Sequence, residues 1–140
     1  MATAQTGFID AYHSAHLQGL AGTAYPAPLA GTYLALYGGS IPLSDGSGGT
    51  EFTGTRPAVT LGATQIDTNG HAYVTNTAPV TVTLASLSGG TLMGFGICAA
   101  ATGGTPVYVD RLPSGFQVGA LASVTIPAGA LKIYAEAYRL

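Results

Sequence analysis

Residues 91–110, TLMGFGICAAATGGTPVYVD, carry the clearest structural signal in the chain and predict a β-hairpin. The apolar run Leu92–Cys98 forms the first arm, and Val107–Val109 forms the second. The turn between them reads Ala-Ala-Thr-Gly-Gly-Thr, and Gly103 and Gly104 suit it because glycine adopts positive φ without a steric penalty. We therefore expect this hairpin to be a central piece of an all-β domain.

Two further glycines, Gly94 and Gly96, lie inside the first arm of the hairpin. Glycine weakens a strand unless a bulge or a closely approaching backbone requires it. The two positions therefore predict a bulge or a close neighbour at this point of the sheet.

Short apolar or alternating runs continue on both sides of the hairpin. In Thr32–Tyr37, TYLALY, both faces are apolar, which favours a central strand with Leu34 and Leu36 on one face. Turn signals stand at Asp67–Gly70, Ser88–Gly90, Leu112–Gly115 and Pro127–Gly129. Further strands are expected at Arg56–Leu61, Thr64–Ile66, His71–Thr75, Thr77–Leu84, Phe116–Val118, Ala122–Ile126 and Ala130–Tyr138.

About eight short strands with one helix are typical of a sandwich rather than of βαβ units. The predicted fold class is therefore mainly β, a single-domain, jelly-roll-like β-sandwich with one N-terminal α-helix. The chain has 140 residues, which suits one domain with one core. We expect an N-terminal arm and helix at 1–22, acting as an anchor, and a sandwich domain at 23–140.

The helix is predicted from about Gly7 to Leu20, with Thr6 able to cap its start. Apolar and aromatic side chains recur there at three- and four-residue spacings and build one stripe. A single short helix is not stable alone, so the stripe has to pack on the sheet or on a neighbouring subunit. The candidate partner-binding residues are Phe8, Ile9, Tyr12, His16, Leu17 and Leu20.

The longest predicted loop is 38–54, GGSIPLSDGSGGTEFTG, which is rich in glycine and serine. Long ordered loops often carry function, and disordered linkers are the alternative. We expect this loop to be exposed or to reach an adjacent copy of the chain.

Charge is scarce: only 7% of the residues are charged, whereas an ordinary soluble domain has about 25%. Membrane insertion, a very buried fold and a surface covered by copies and partners are three possible explanations. No run approaches 18 apolar residues, and the N-terminus does not resemble a secretory signal. We therefore favour burial by assembly, without a membrane. The net charge of −2 offers no basic patch for nucleic acid.

Side chains for catalysis are few. Cys98 is the single cysteine, so it makes no intrachain disulfide, and it is either a small buried hydrophobe or a catalytic thiol. His13 and His16 form either a metal pair or a surface or subunit contact. The loop around Asp45 lacks the spaced acidic ligands of a calcium site. We predict no catalytic residue, no metal, no cofactor and no enzymatic activity.

Eight tyrosines are spread along the chain. Tyrosine buries a large area at low entropic cost, so core and interface packing is one interpretation. A saccharide-binding stack built from one or two of the rings is the other. The eight positions are Tyr12, Tyr25, Tyr33, Tyr37, Tyr73, Tyr108, Tyr134 and Tyr138.

Several short motifs, taken in order along nearly the whole chain, give it a family resemblance. They follow an N-terminal helix and are GTAYPAPLAGTYLALY at 22–37, GGTEFTGTRPAVTLGA at 48–63, VTNTAPVTV at 74–82, FGICAAATGG at 95–104 and SVTIPAGALKI at 123–133. The chain resembles small virion proteins of tailed bacteriophages, described as tail-fibre-like or minor tail proteins.

This resemblance implies a structural subunit of a tailed-phage particle, located in the virion and assembled in the host bacterial cytoplasm. Two placements stay open: a tail-tip or fibre-base component, and a capsid decoration protein. The expected partners are further copies of the chain, as a homotrimer, and the major capsid or tail protein. A carbohydrate-binding adsorption module is the alternative function.

Overall fold

The computed structural model describes residues 7–22, 24, 27–84, 90–118 and 123–134, with Pro113 described by its backbone alone. One helix and nine strands lie within these ranges, which confirms the mainly β fold class with an N-terminal helix. In chain order they are β1 Gly7–Phe8, α1 Asp10–Leu20, β2 Tyr33–Gly38, β3 Gln65–Ile66, β4 Ala72–Thr75, β5 Val80–Thr83, β6 Thr91–Cys98, β7 Tyr108–Gln117, β8 Ser123–Ile126 and β9 Lys132–Tyr134.

The predicted hairpin is the middle of the largest sheet. That sheet has four strands in the order β1-β7-β6-β2, and all of its neighbours are antiparallel. Two smaller antiparallel sheets, β3-β4-β9 and β5-β8, accompany it. Since β6 and β7 each have a partner on both sides, the hairpin is central, as its sequence predicts.

Strand β2 is buried on both faces, which confirms the alternation predicted for it. Leu34 and Leu36 belong to the main core, to which the two smaller sheets contribute Val82 and Ile133. On the opposite face, Ala35 and Tyr37 join a second apolar cluster with Ile41, Cys98 and Val109. Side chains from all three sheets thus meet in one core, while the jelly-roll-like arrangement stays a prediction.

The strand glycines have the role predicted for them. A Cβ atom at Gly94 would clash with the carbonyl oxygen of Asp110 on β7 and would lie 2.7 Å from a methyl group of Ile41. The pairing of β6 also shifts register between Leu92 and Gly94. Glycine therefore permits both the bulge and the close approach of the neighbouring strand.

The loop 38–54 is exposed only in part: residues 45 and 47–50 are exposed, as its composition predicts, but several other residues of the loop are not. Ile41, Ser44 and Phe52 are buried, and Phe52 belongs to the main core. The end of the loop runs beside β2, where the Phe52 N–H donates to the Leu36 carbonyl over 2.8 Å and the Leu36 N–H donates to Thr53 Oγ1 over 2.7 Å. Phe52 and Thr53 are buried because this end of the loop covers the outer edge of β2.

The predicted strand Arg56–Leu61 is wrong as a continuous strand. It pairs only through single antiparallel bridges, one from Ala58 to Tyr33 and one from Leu61 to Asn76. Pro57 lies within it and has no N–H to donate, although its carbonyl accepts from Leu34 N over 3.0 Å. The missing donor explains why a regular ladder does not form here.

The predicted turn at Leu112–Gly115 is also wrong, because β7 continues through it. Arg111 pairs with Gly94 and Phe116 pairs with Leu92, so residues 112–115 lie opposite Met93 alone. These four turn-forming residues therefore bulge out of the strand opposite a single residue, instead of reversing the chain. Several other expectations, Ser88 and Gly89, Ala122, and 135–138 of the last strand, lie outside the described residues.

Candidate docking surface at the N-terminal helix

The helix begins later than its sequence predicts. Gly7 and Phe8 are not helical, since they pair with Val109 and Tyr108 as strand β1. Gly7 has φ 113°, a backbone conformation that glycine adopts readily. The predicted start at Gly7 is therefore wrong, because pairing with β7 competes with the helix. The expected cap Thr6 lies outside the described residues, and Ile9 stands at the cap position without a side-chain hydrogen bond to the helix.

The base of α1 is held by the body of the protein. Ile9 is buried, and its N–H donates to the carbonyl of Val107 over 3.0 Å. The Asp10 N–H donates to the carbonyl of Ser44 over 2.8 Å, and Ser44 Oγ donates back to Asp10 Oδ2 over 2.9 Å. These bonds fix the first turn to both the hairpin and the loop 38–54.

Aromatic rings continue from the sheet onto the helix. Phe8 stacks on Tyr12 with ring centroids 5.0 Å apart and meets Tyr108 of the core edge-on at 5.2 Å. Tyr12 in turn lies 4.6 Å from the ring of His16, whose Nδ1 is 2.9 Å from the Tyr12 carbonyl oxygen. Three of the predicted partner-binding residues thus pack on one another along the first two turns.

The far end of α1 is different, because its apolar side chains face solvent. Leu17 is 66% exposed and Leu20 is 76% exposed. No residue of the helix itself is buried. The predicted stripe therefore divides into a buried Ile9 before the helix, an aromatic stack at Phe8, Tyr12 and His16, and two exposed leucines at the end.

An apolar groove lies beside the base of the helix, and we call it the aromatic groove. The rings of Tyr73 and Tyr134 lie 5.4 Å apart in its wall, and the Lys132 ammonium lies 5.3 Å from the centre of the Tyr73 ring. Its volume is about 150 Å³, and it is lined by Phe8, Thr64, Ala72, Tyr73, Val74, Ile133 and Tyr134. Sequence reasoning missed this groove because strands β1, β4 and β9 contribute to it from distant parts of the chain.

Arg56 is a second feature that sequence reasoning missed. It is buried, and its guanidinium donates two hydrogen bonds to the Glu51 carboxylate, over 2.8 and 2.9 Å. Its Nη1 also donates to the carbonyls of Ala100 and Gly103 in the hairpin turn, over 3.1 and 2.6 Å. The hydrogen bonds that Arg56 donates to the Glu51 carboxylate raise the pKa of Arg56. Arg56 thereby ties the end of the loop 38–54 to the hairpin.

The other candidate groups for chemistry are placed as follows. Cys98 is buried against Tyr37, and burial raises the pKa of its thiol. Asp45 accepts hydrogen bonds from the backbone N–H and the hydroxyl of Ser47, which lower its pKa.

Within the described ranges, no three His, Cys, Asp or Glu side chains lie close enough together to hold a metal ion. No helix in the part of the chain that the structure describes is long and apolar enough to cross a membrane.

Residues 8–134 match the protein family described as podophage GP4 fiber I protein gp80. The match covers most of the chain, so the chain belongs to this family of phage fibre proteins. A search of curated proteins found no match.

Proposed function

We propose that this chain is a non-enzymatic structural subunit of a tailed-phage virion, built into the fibre apparatus as a homotrimer after assembly in the host bacterial cytoplasm. One observation carries the proposal: the family match begins at Phe8 and ends at Tyr134, so it includes α1, the aromatic groove and the three sheets. A tail-tip or fibre-base position agrees with a fibre family. A capsid decoration protein is the other placement.

The anchor in this proposal is the N-terminal segment 1–22, on a body formed by 23–140. The free end of α1 presents Leu17 and Leu20 to a second protein, and fully burying a leucine contributes about 1.5–3 kcal/mol. The first turn is held by Ser44 and Val107, so the contact would transmit force to the body. The partner is a tail protein, or the major capsid protein in the decoration placement.

The low charge of the chain supports the same proposal. Burying an unpaired charge at an interface is costly, whereas neutral Thr, Ala and Gly surfaces lose their water cheaply. With 7% charged residues, this chain can cover a large fraction of its surface with neighbours. An interface of standard size buries about 800 Å² on each partner, and a trimer uses two such faces on each subunit.

Cryo-electron microscopy of the intact particle tests the proposal. We expect density for the four-stranded sheet and α1 at the tail or fibre, in a copy number divisible by three. A copy number matching the capsid lattice would support the decoration placement. Particles that lack the protein altogether, by both density and mass spectrometry, would overturn the proposal.

A carbohydrate-binding adsorption module is the second candidate function. The observation that favours it is the pair of rings Tyr73 and Tyr134, which stand side by side in the aromatic groove. It ranks second because the groove is lined mainly by apolar atoms, while a sugar also needs hydrogen-bonding partners for its hydroxyls. A glycan array probed with the protein and with Tyr73→Ala tests it: binding lost in the variant supports this function, and an array without hits opposes it.

A further inference from the structure

The aromatic groove is the right size for one aliphatic side chain. A cavity of about 150 Å³ lined by apolar side chains can hold a group as large as benzene, and the groove has that volume. Its walls are rings and aliphatic chains from Phe8, Ala72, Val74 and Ile133, with Tyr73 and Tyr134 at the side. Such a site matches an apolar protein side chain better than a polar ligand.

The end of α1 supplies side chains of this kind. Leu17 and Leu20 are three residues apart, so they project from neighbouring positions on the helix surface. Because they are 66% and 76% exposed, they do not fill the groove of their own copy. The same chain therefore carries an apolar projection and an apolar recess that are separate from each other.

The charges of the two surfaces are complementary. The backbone N–H groups of Ala21 and Gly22 donate to the carbonyls of the last turn of α1, but that turn has no basic residue, so no cation faces the negative end of the helix dipole there. The aromatic groove has Lys132 beside it, with its ammonium 5.3 Å from the Tyr73 ring centre. A helix end that enters the groove would bring its negative pole next to this cation.

We propose that the last turn of α1 in one copy docks into the aromatic groove of a second copy, with Leu20 entering the groove and Lys132 facing the helix end. The two surfaces differ, so the contact is head to tail and closes into a ring when the rotation between copies permits it. This inference rests on the proposed function in one respect, namely that the free end of α1 is an assembly contact.

Disulfide trapping between two variants tests the contact. Leu20→Cys in one chain and Ala72→Cys in a second chain, distinguished by tags of different size, are mixed and mildly oxidised. Cys98 is 1% exposed and stays in both chains. The control replaces Ala72→Cys with Thr125→Cys, which is exposed on β8. We expect at least about a tenfold higher yield of mixed dimer with Ala72→Cys, and equal yields from the two mixtures would overturn the proposal.

A mixing experiment in analytical ultracentrifugation tests it independently. Leu20→Glu places a charge on the projection, and Ala72→Phe fills the recess, so each variant alone should associate less than the unmodified chain. An equimolar mixture should regain association as a mixed dimer, because one variant supplies an intact helix end and the other supplies an intact groove. Failure of the mixture to regain association, or a Leu20→Glu variant that associates normally, would overturn the proposal.

Incorporation into particles separates this inference from the proposed function. If Leu20→Glu is lost from virions while the Ala72→Cys mixture gives no mixed dimer above its control, α1 docks on another protein, and the inference is overturned while the proposed function stands. If the mixed dimer forms and the protein is absent from every particle, the copy-to-copy contact is supported and the virion role fails.

Discussion

The hairpin of β6 and β7 and the helix α1 are both rich in apolar residues, yet the fold treats them in opposite ways. On the hairpin, Leu92, Ile97 and Tyr108 are at most 3% exposed, enclosed by side chains of the same chain. On the helix no residue is buried, and Leu20 is 76% exposed. The apolar side chains of the hairpin are covered by the same subunit, whereas the helix is bonded to the rest of the subunit only at its base.

This difference separates residues that stabilise the subunit from residues available for contact with neighbours. Only 7% of the chain is charged, so few surfaces are marked by charge. Exposed apolar side chains mark surfaces instead: Leu17 and Leu20 lie together at the end of α1, while Ile66 and Phe116 stand singly on β3 and β7. The comparison predicts that substitutions of buried residues in the sheets change stability, while those at the helix end change assembly.

The largest effect on stability is expected from Leu34→Ala on β2. Leu34 is 0% exposed in the main core, and truncating a buried leucine costs about 2–5 kcal/mol. The matched control is Leu17→Ala on α1, which should change the free energy of unfolding by less than about 0.5 kcal/mol. Urea unfolding measures the free energy of unfolding of both variants. Similar losses in the two would contradict the difference between the sheet and the helix.

A smaller loss is expected from Arg56→Met, which leaves the Glu51 carboxylate without its partner. Removing one member of a buried ion pair costs about 3–5 kcal/mol, and we expect about 2–3 kcal/mol because Glu51 is partly exposed. The control is Arg111→Met, since Arg111 is exposed. Thermal unfolding measures both, and an Arg56→Met variant as stable as the control would show that Arg56 does not hold the loop to the hairpin.

Alkaline pH should weaken the sheets through Tyr37 and Tyr108. Burial raises the pKa of both phenols above the ordinary value of 10.0. The folded state therefore favours the neutral phenols, and their contribution is fully present below pH 10 and is lost as pH rises further. Unfolding followed from pH 8 to pH 11 should show this loss.

Two variants sharpen the alkaline prediction. Tyr37→Phe should reduce the loss of stability above pH 10, because the residue that ionises on unfolding is gone. Tyr108→Phe should reduce the loss likewise, because burial raises the pKa of that phenol too. An unchanged alkaline slope in Tyr37→Phe would contradict burial of that phenol as its cause.

The sequence predicts the hairpin and the neighbouring strand β2 well because their signals are local. Alternation in Thr32–Tyr37 and the glycines of β6 are enough to indicate a strand buried on both faces and a close neighbouring backbone. The start of α1 is set differently, since Gly7 and Phe8 pair with Val109 and Tyr108 about a hundred residues away. A period of three to four residues does not reveal that competition.

The loops and the candidate site are also predicted less well, because the contacts that form them join residues far apart in the sequence. Arg56 donates hydrogen bonds to backbone carbonyls that lie 44 and 47 residues further along the chain. Every residue has such a carbonyl, so the residue type at those positions does not indicate the contact. The aromatic groove combines Phe8, Tyr73 and Tyr134 from three strands. Tyrosine content indicated contact surfaces but not which rings come together, whereas the exposed leucines of α1 were among the six residues predicted for partner binding.

The central claim is that the exposed end of α1 serves assembly and not the stability of the subunit. Its most direct test is the number of copies of a Leu17→Ser/Leu20→Ser variant in purified particles, counted by quantitative mass spectrometry beside its melting temperature. We expect at least about a tenfold drop in copies, since two buried leucines together contribute well over 1.4 kcal/mol, with melting unchanged. A full complement of the variant in the particle would contradict the account.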